Sequence, residues 1–255
     1  MSPLIKYPDK TIVLPIQYFG SIDYYARMAA VGHVIINDCA RFDKRFKSAH
    51  RCTIADTHGE LQLTVPISKS WRKTNVASAA KPCQSEESQQ LGQQGELKEP
   101  EEQPRQQLTW RNVGLSDHGM WWQDIEVSIA SAYGRTPFYE YYIDRLRPFF
   151  SKSTIATFDS IASLDVALNR TICSILGITS DIRLRSEISD AEFAAATENL
   201  ITADEIVIEP VEYYQVRHDR FGFIAGLSIL DLIFNMGPES PLTLHQMVSE
   251  REVAN

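Results

Sequence analysis

The feature of the sequence that most constrains the fold is a strand–helix–strand pattern near the start of the chain. Residues 11–16 (TIVLPI) are an apolar, β-branched run that is typical of a buried strand, and a helical pattern of apolar residues follows. A second short apolar run, residues 34–36, ends in the polar pair Asn37 and Asp38. Short connections between such elements are the signature of a parallel sheet. We therefore predict an α/β fold with a mostly parallel sheet flanked by helices.

Helical periodicity dominates the second half of the chain, and several residues mark where helices begin and end. Ser116 or Asp117 can cap the start of the first of these helices. Gly177 suits a left-handed cap at the end of a later one. Ser228 with Asp231 matches the reciprocal capping pattern that opens the last helix. The sequence thus predicts a helix-rich second half.

One segment differs in composition from the rest of the chain. Residues 81–107 contain eight Gln, six Glu and three Pro, and no aromatic residue. Such a segment cannot bury enough apolar surface to offset the entropy lost on ordering. We predict that it is a low-complexity, disordered insert within a single domain that spans residues 1–255. The alternative is a boundary between two domains.

The composition argues against several classes of partner and location. Lys and Arg total 25 against 33 Asp and Glu, so the net charge of −8 predicts no broad basic surface for nucleic acid. No stretch approaches the roughly 20 apolar residues that a membrane span needs, and the start of the chain has no apolar signal core. We therefore expect a cytoplasmic protein without a membrane span. The sequence makes no prediction about its oligomeric state.

Motifs for a metal or an organic cofactor are also missing from the sequence. The six histidines show no paired spacing, and no glycine-rich nucleotide fingerprint or nucleophile elbow occurs. The four cysteines are widely spaced, which favours reduced thiols over a disulfide framework or a zinc site. We predict no metal and no cofactor.

Polar side chains follow the two strands of the predicted parallel unit. Gln17 and Tyr18 come after the first strand, and Asp38 comes after the second. Because ligands bind outside the carboxyl ends of parallel strands, we expect these three side chains near one crevice.

Cationic and aromatic residues complete the predicted site. Lys44, His50 and Arg51 suit a phosphate or carboxylate ligand that faces a general base. Trp121, beside a second tryptophan, suits an aromatic platform for a sugar. The predicted catalytic residues are Asp38 and His50, and the predicted substrate-binding residues are Gln17, Tyr18, Lys44, Arg51 and Trp121.

Each of these residues also has an ordinary structural interpretation. Asp38 can cap a turn, and Gln17 can face water. Residues 41–47 (RFDKRFK) can be a solvated run of charges. Aromatic residues at helical spacing, such as Trp121, belong more often to a core than to a binding platform.

Several groups of residues, taken in order and spacing, resemble a known family. The groups are Leu14-Pro15 with Tyr18 and Tyr24-Tyr25; residues 51–54 (RCTI) with Gly59 and residues 63–66 (LTVP); residues 117–119 (DHG) with Trp121; residues 131–133 (SAY) with 136–138 (TPF); and residues 226–237 (GLSILDLIFNMG). Together they resemble the WbqC-like family over roughly residues 11–244, apart from the Gln/Glu-rich insert.

The resemblance implies an activity and a pathway. Members of this family are encoded beside O-antigen and other surface-polysaccharide genes and have been proposed to be transferases. The resemblance therefore implies a transferase that moves an acyl or aminoacyl group onto a small-molecule substrate, a nucleotide-linked sugar. The residues that carry over most directly are Pro15, Tyr18, Arg51, Trp121, Tyr133 and Asp231.

The chain departs from the family pattern at four polar or conformationally special positions. It has Gly20 where the family usually has Pro, and His50 and Gly226 where the family has Asn. It has Ile125 where the family has His. These changes favour an alternative, a non-catalytic ligand-binding or scaffold protein of the same pathway. A third hypothesis, a nucleotide-transfer enzyme, lacks the phosphate-loop glycines that it would need.

Overall fold

The computed structural model describes residues 5–68 and 108–249, so the insert predicted at residues 81–107 lies outside the described residues. The strands are β1 (Tyr7–Pro15), β2 (Val31–Asn37), β3 (Arg51–Asp56), β4 (Gly59–Thr64), β5 (Asp181–Leu184), β6 (Val207–Ile208) and β7 (Val248–Ser249). The helices are α1 (Ile22–Ala30), α2 (Trp121–Tyr133), α3 (Tyr139–Leu146), α4 (Lys152–Ile155), α5 (Ile161–Leu176), α6 (Asp190–Ala196), α7 (His218–Phe221), α8 (Ile229–Met236) and α9 (Ser240–Met247).

A small parallel sheet is formed by three strands in the order β1–β2–β5. Val34 of β2 pairs with Ile12 of β1 on one side and with Ile182 of β5 on the other. Since α1 connects β1 to β2, the predicted strand–helix–strand unit is confirmed. The predicted predominance of parallel pairing is confirmed only in part, because β3 pairs antiparallel with β4, and β6 with β7.

The alternation of apolar residues from Leu61 to Ile67 predicts a half-exposed strand, and β4 confirms it in part. The first strand of the hairpin, β3, was not predicted from the sequence, and the hairpin carries part of the site described below. Its register pairs Arg51 with Thr64 and Asp56 with Gly59, which leaves a two-residue turn. Gly59 has a φ of 114°, a value that suits glycine in a tight turn. Of its two strands only Cys52, Ile54, Ala55 and Leu63 are buried, so its apolar runs are short.

Two of the predicted helix boundaries are confirmed by the backbone. Gly177 ends α5 with a φ of 63°, the left-handed conformation in which glycine lacks the Cβ clash. Ser228 caps α8, and its hydroxyl accepts from the Leu230 N–H. Asp231, however, does not complete the reciprocal cap, because its carboxylate turns into the protein interior.

The predicted start of the first helix in the second half is wrong by several residues. Helix α2 begins at Trp121, and its cap position, Met120, has no side-chain hydrogen bond. Ser116 instead lies in the preceding turn, where its hydroxyl accepts from the His118 N–H at 3.2 Å. A serine can satisfy a turn as readily as a helix end, and the sequence pattern alone does not distinguish the two.

The core joins the parallel sheet to the second half of the chain. Helix α8 is almost completely buried and contacts α1, α3 and β3, so it holds the loop before it against the ends of β1 and β3. The longest described helix, α5, has 16 residues, and no helix within the described ranges has the length and hydropathy of a membrane span.

The prediction of reduced thiols is confirmed for two of the four cysteines. Cys52 and Cys173 are free and buried. Cys83 lies outside the described residues.

Candidate functional site

A cleft of about 210 Å³ lies where the loop after β1 meets the start of β3 and the loop before α8. We call it the Arg51 cleft. It is lined by residues 17–21, 47–48 and 51–53 together with Gln62, Gly226 and Ser228. Three of the predicted substrate-binding residues, Gln17, Tyr18 and Arg51, are therefore brought together at the end of β1.

Backbone and side-chain hydrogen bonds hold the three walls of the cleft together. The Tyr18 N–H donates to the Ser48 carbonyl at 2.9 Å. The Ser228 hydroxyl donates to the Phe19 carbonyl at 2.8 Å, and its N–H donates to the Thr53 carbonyl, also at 2.8 Å. Ser228, in the loop before α8, is thus hydrogen-bonded both to the loop after β1 and to β3. These bonds fix the shape of the cleft without a ligand.

Backbone strain is concentrated in the same loop. Phe19 has a φ of 40°, and it is the one non-glycine residue with a positive φ among residues 5–68 and 108–249. An aromatic residue in this conformation costs free energy that the surrounding structure must offset, and such strain clusters at ligand-binding sites. Next to it, a Cβ on Gly20 would come within 2.8 Å of the Tyr24 ring and 3.2 Å of the Gln17 Oε1 atom. The loop therefore has little freedom to relax.

The charge of the Arg51 cleft is opposite to that of the whole chain. Lys47 and Arg51 line it, and its described lining contains no carboxylate. Neither cation forms an ion pair with a carboxylate within the described ranges. In a chain with a net charge of −8, this is a local positive site suited to a phosphate or carboxylate.

Arg51 is only partly used by its protein neighbours. Its Nη1 atom donates to the Gln62 Oε1 atom at 3.0 Å across the hairpin. Its Nε atom is buried and has no hydrogen-bond partner among the described residues. Buried polar atoms are nearly always paired, so this guanidinium N–H is an exception that its protein neighbours leave unused.

Two buried ionisable groups, Tyr18 and Cys52, are among the residues that line the cleft. Burial raises the pKa of Tyr18 well above its ordinary value, and the nearby Cys52 and Asp165 raise it further. Burial also raises the pKa of the Cys52 thiol, although a hydrogen bond with Ser228 opposes that shift. At neutral pH both groups keep their protons, and Cys52 is not an activated nucleophile.

Asp38 is held elsewhere, which corrects the expectation that it shares a crevice with Gln17 and Tyr18. Its carboxylate accepts from the Ser186 N–H at 3.0 Å and from the Ser186 hydroxyl at 2.6 Å. The Arg111 Nε atom lies 3.6 Å from the same carboxylate. Asp38 is 3% exposed and does not line the Arg51 cleft. It forms a structural junction between the end of β2 and the turn after β5.

His50 also points away from the cleft, although it adjoins Arg51 in sequence. Its Nδ1 atom lies 3.2 Å from the Val65 carbonyl, so this nitrogen is the protonated one. Its ring lies 6.4 Å from the Trp110 ring. Burial lowers the pKa of His50, the neighbouring Arg51 and Lys47 charges lower it further, and the Val65 hydrogen bond opposes both. The imidazole is thus a neutral donor within the core.

The two remaining predicted residues do not line the cleft either. Lys44 is exposed in the loop after β2. Trp121 is 8% exposed, and its indole N–H donates to the Ser116 carbonyl at 2.9 Å. Its ring packs against Trp122 with the ring centres 5.6 Å apart. This is the core role that aromatic residues at helical spacing usually have.

The residues of the cleft that were not predicted as site residues include Lys47, Cys52, Gln62 and Ser228. Cys52 and Gln62 reach the cleft through the β3–β4 hairpin, of which the sequence predicted only the second strand. Ser228 had a clear signal as a helix cap, but its second role depends on a contact with residue 19. The β-branched residues Thr53 and Ile54 are the local sequence signal for β3.

Two other clefts fit a polar ligand less well. A cleft of about 260 Å³ over the parallel sheet contains His33 and Arg183, but Asp181 already lies 3.6 Å from the first and 3.0 Å from the second. A cleft of about 400 Å³ between α1 and α9 is mainly apolar. Within the described ranges, no group of three or more His, Cys, Asp or Glu side chains is arranged to bind a metal ion. The Arg51 cleft is therefore the candidate site.

Comparison with known proteins gives one match. A family model described as the WbqC-like protein family matches residues 16–95 and 87–210, which is most of the chain. No curated protein and no solved structure matches. The matched ranges include the loop after β1 and the β3–β4 hairpin, and hence two of the three walls of the Arg51 cleft.

Proposed function

Because the chain belongs to the WbqC-like protein family, we propose that it is a transferase whose anionic small-molecule substrate binds in the Arg51 cleft. The substrate class proposed is a nucleotide-linked sugar of surface-polysaccharide assembly, and the group transferred is an acyl or aminoacyl group. The observation that carries the proposal is the buried Arg51 Nε atom, which has no partner among the described residues.

The charge and size of the cleft support an anion rather than a neutral ligand. Arg51 and Lys47 supply two cations, and a guanidinium is the side chain that best matches the oxygens of a phosphate or carboxylate. A volume of about 210 Å³ is smaller than the roughly 300–1,000 Å³ of clefts that enclose a drug-sized ligand. The cleft therefore holds the charged group, and the rest of a nucleotide sugar extends beyond it.

In acyl transfer an acceptor hydroxyl or amine attacks the acyl carbonyl carbon and loses its proton, and the bond between that carbon and the donor's leaving group then breaks. In the proposed arrangement Arg51 holds the anionic group, and Gln17 and Tyr18 orient the substrate from the β1 side. The general base proposed from the sequence, Asp38 or His50, does not line the cleft. A base role for either would require the acceptor to reach its side chain from outside the cleft.

The test is a binding and turnover screen with matched arginine variants. Wild type, Arg51→Ala and Arg145→Ala are compared by thermal shift and calorimetry with nucleotide-linked sugars, acyl donors and sodium sulfate. Arg145 is the control, because it lies on the exposed face of α3 and donates to Ser174 at 2.8 Å. Loss of a charge-assisted contact should weaken binding in Arg51→Ala by on the order of 10- to 100-fold. Equal affinities in all three proteins would refute the placement.

One observation favours a second candidate, a non-catalytic binding protein of the same pathway. The described lining of the cleft contains no carboxylate or imidazole, and Tyr18 and Cys52 hold their protons because burial raises the pKa of each. No described group in the cleft is thus ready to accept a proton near neutral pH. Ligand binding at Arg51 without turnover of any acyl donor in the screen would support this candidate over the transferase.

A further inference from the structure

The exposed residues of the Arg51 cleft indicate where a ligand can extend beyond it. Of the residues that line the cleft, Lys47, Gln62 and Gly226 are exposed, and the others are buried or half-buried. We call these three residues the rim. Lys47 and Gln62 have long side chains, whereas Gly226 has none. The rim therefore has a gap at Gly226.

The space beside the Gly226 α-carbon is empty of protein. A Cβ atom at this position would meet no described atom beyond its chain neighbours within 4 Å. Gly20, the other glycine that lines the cleft, is buried, and a Cβ there would come within 2.8 Å of the Tyr24 ring. Of these two glycines only Gly226 borders open space, and a side chain on it would occupy that space.

Hydrogen bonds on both sides of Gly226 fix the wall of the cleft that carries it. The side-chain amide of Gln215 is buried, and it donates to the Ile224 carbonyl at 2.9 Å. Its Oε1 atom accepts from the Ile224 N–H, also at 2.9 Å. On the other side of Gly226, the Leu227 carbonyl accepts from the Ile22 N–H at 3.0 Å. The gap is therefore a fixed part of the structure.

The segment that carries the gap is uncharged. Residues 222–227 (GFIAGL) contain no ionisable and no polar side chain. The cations of the cleft, Lys47 and Arg51, belong to a different wall. A ligand that occupies both the cleft and the gap is therefore best matched by an anionic group at one end and a neutral group at the other.

We propose that Gly226 is the specificity-determining residue of the Arg51 cleft: the gap beside it lets the neutral part of a substrate extend out of the cleft while its phosphate binds at Arg51. The proposal rests on the proposed function, because it takes Arg51 as the anion site. It adds that a neutral sugar or nucleoside, joined directly to the phosphate, lies over Gly226. A side chain at position 226 would exclude this group and leave room for a small anion.

Two anions of similar charge and different size test the gap. Sulfate is small enough for a cleft of about 210 Å³, whereas the nucleoside of uridine monophosphate must extend beyond it. At pH 8 each carries a charge of about −2, since the second pKa of a phosphate monoester is about 6. Calorimetry measures the affinity of wild type, Gly226→Asn and Gly119→Asn for both anions. Asparagine is used because it tolerates a positive φ better than most other residues.

Gly119→Asn is the matched control. Gly119 has a φ of 75°, close to the 73° of Gly226, and both residues are exposed. A Cβ on Gly119 would likewise meet no described atom beyond its chain neighbours within 4 Å. Gly119 does not line the Arg51 cleft. The control therefore repeats the backbone change without adding a side chain to the rim.

All three proteins should bind sulfate equally, which also shows that Gly226→Asn is folded. Gly119→Asn should bind uridine monophosphate as wild type does, whereas Gly226→Asn should bind it more weakly by on the order of tenfold, because the new side chain takes the place of the nucleoside. Equal affinity of the three proteins for uridine monophosphate would overturn the proposal. Loss of sulfate by a folded Gly226→Asn, or a wild type that binds sulfate but not uridine monophosphate, would overturn it as well.

A measurement on wild type alone covers the case in which Gly226→Asn does not fold. The backbone amide resonance of Gly226 is followed by NMR during titration with each anion, and that of Gly119 is the internal reference. Uridine monophosphate should shift the Gly226 resonance more than sulfate does. If uridine monophosphate saturates the shift of the Arg51 Nε–H and leaves Gly226 unchanged, the proposal is wrong.

The failure of this proposal and the failure of the proposed function are distinguishable. If Arg51→Ala binds both anions as wild type does, the anion site is elsewhere and the proposed function is wrong. If Arg51→Ala loses both anions while Gly226→Asn binds uridine monophosphate normally, only the role of Gly226 is wrong.

Discussion

The carboxylate of Asp38 accepts two hydrogen bonds from one residue, Ser186, through the backbone N–H at 3.0 Å and the hydroxyl at 2.6 Å. This contact ties the end of β2 to the turn after β5. With the Arg111 guanidinium 3.6 Å away, it leaves Asp38 fully engaged in the fold. The acidic residue that most resembled a catalytic base in the sequence is thus a structural junction.

Replacement of Asp38 should therefore affect stability more than ligand binding. Asp38→Ala leaves the partly buried Ser186 donors and the Arg111 charge without their acceptor, and the free energy of unfolding should fall by about 2–4 kcal/mol. Ser186→Ala removes one bond of the pair and should cost about 1 kcal/mol. Urea unfolding measures both. If the Asp38→Ala protein is as stable as wild type but no longer binds sulfate, Asp38 contributes to ligand binding and not to stability.

The buried Asp165 should make the stability of the protein depend on pH. In the unfolded chain its carboxyl ionises near the ordinary value of 3.8, while in the folded chain its pKa is raised by burial. Between these two pKa values the folded state binds the extra proton, so stability falls as pH rises, by up to about 1.4 kcal/mol per pH unit. The loss ends once the pH passes the folded-state pKa.

Asp165→Asn should remove that component of the pH dependence. Its stability advantage over wild type should be small at pH 4 and should grow toward neutral pH, as measured by chemical unfolding at several pH values. Asp204→Asn, which removes a carboxylate from an exposed turn, should retain the wild-type slope. A stability difference between wild type and Asp165→Asn that does not change with pH would contradict the protonated state assigned to Asp165.

A buried network around Asp231 should stabilise the second half of the chain. The Tyr213 hydroxyl donates to the Asp231 Oδ2 atom at 2.5 Å, and the Gln215 Nε2 atom donates to the same oxygen at 3.0 Å. Tyr213→Phe leaves this carboxylate with one donor fewer and should lower the unfolding free energy by about 1–3 kcal/mol. Tyr214→Phe, at a neighbouring position that is 56% exposed, should have little effect. Equal stability of the two variants would show that the hydrogen bond from Tyr213 to Asp231 does not stabilise the protein.

Two glycines with similar φ angles should respond differently to alanine. Gly177 has a φ of 63°, and among the described residues nothing beyond its chain neighbours lies within 4 Å of the Cβ that alanine would add. Gly177→Ala therefore carries only the left-handed penalty of about 1–2 kcal/mol. Gly237 has a φ of 52°, and a Cβ there would come within 2.4 Å of the Phe138 ring. Gly237→Ala should thus be clearly less stable than Gly177→Ala in thermal unfolding. The reverse order would contradict the packing of Phe138 against the end of α8.

Local patterns in the sequence were sufficient for the elements that are encoded locally. The strand–helix–strand unit follows from two apolar runs and the helix between them, and the end of α5 follows from Gly177. The family resemblance likewise depends on short motifs, and the family match over residues 16–95 and 87–210 confirms it. Each of these signals lies within a few residues of the feature that it predicts.

The composition of the site was decided by contacts between distant segments. The sequence placed Gln17, Tyr18 and Asp38 at the ends of parallel strands. The Asp38 carboxylate, however, accepts hydrogen bonds from Ser186, which lies 148 positions away in the chain. Ser228 bonds to the Phe19 carbonyl across 209 positions and closes the Arg51 cleft. Whether a polar side chain faces a ligand or a buried protein partner depends on which groups lie within hydrogen-bond distance of it in the folded chain. That is a property of tertiary packing, and no local pattern in the sequence records it.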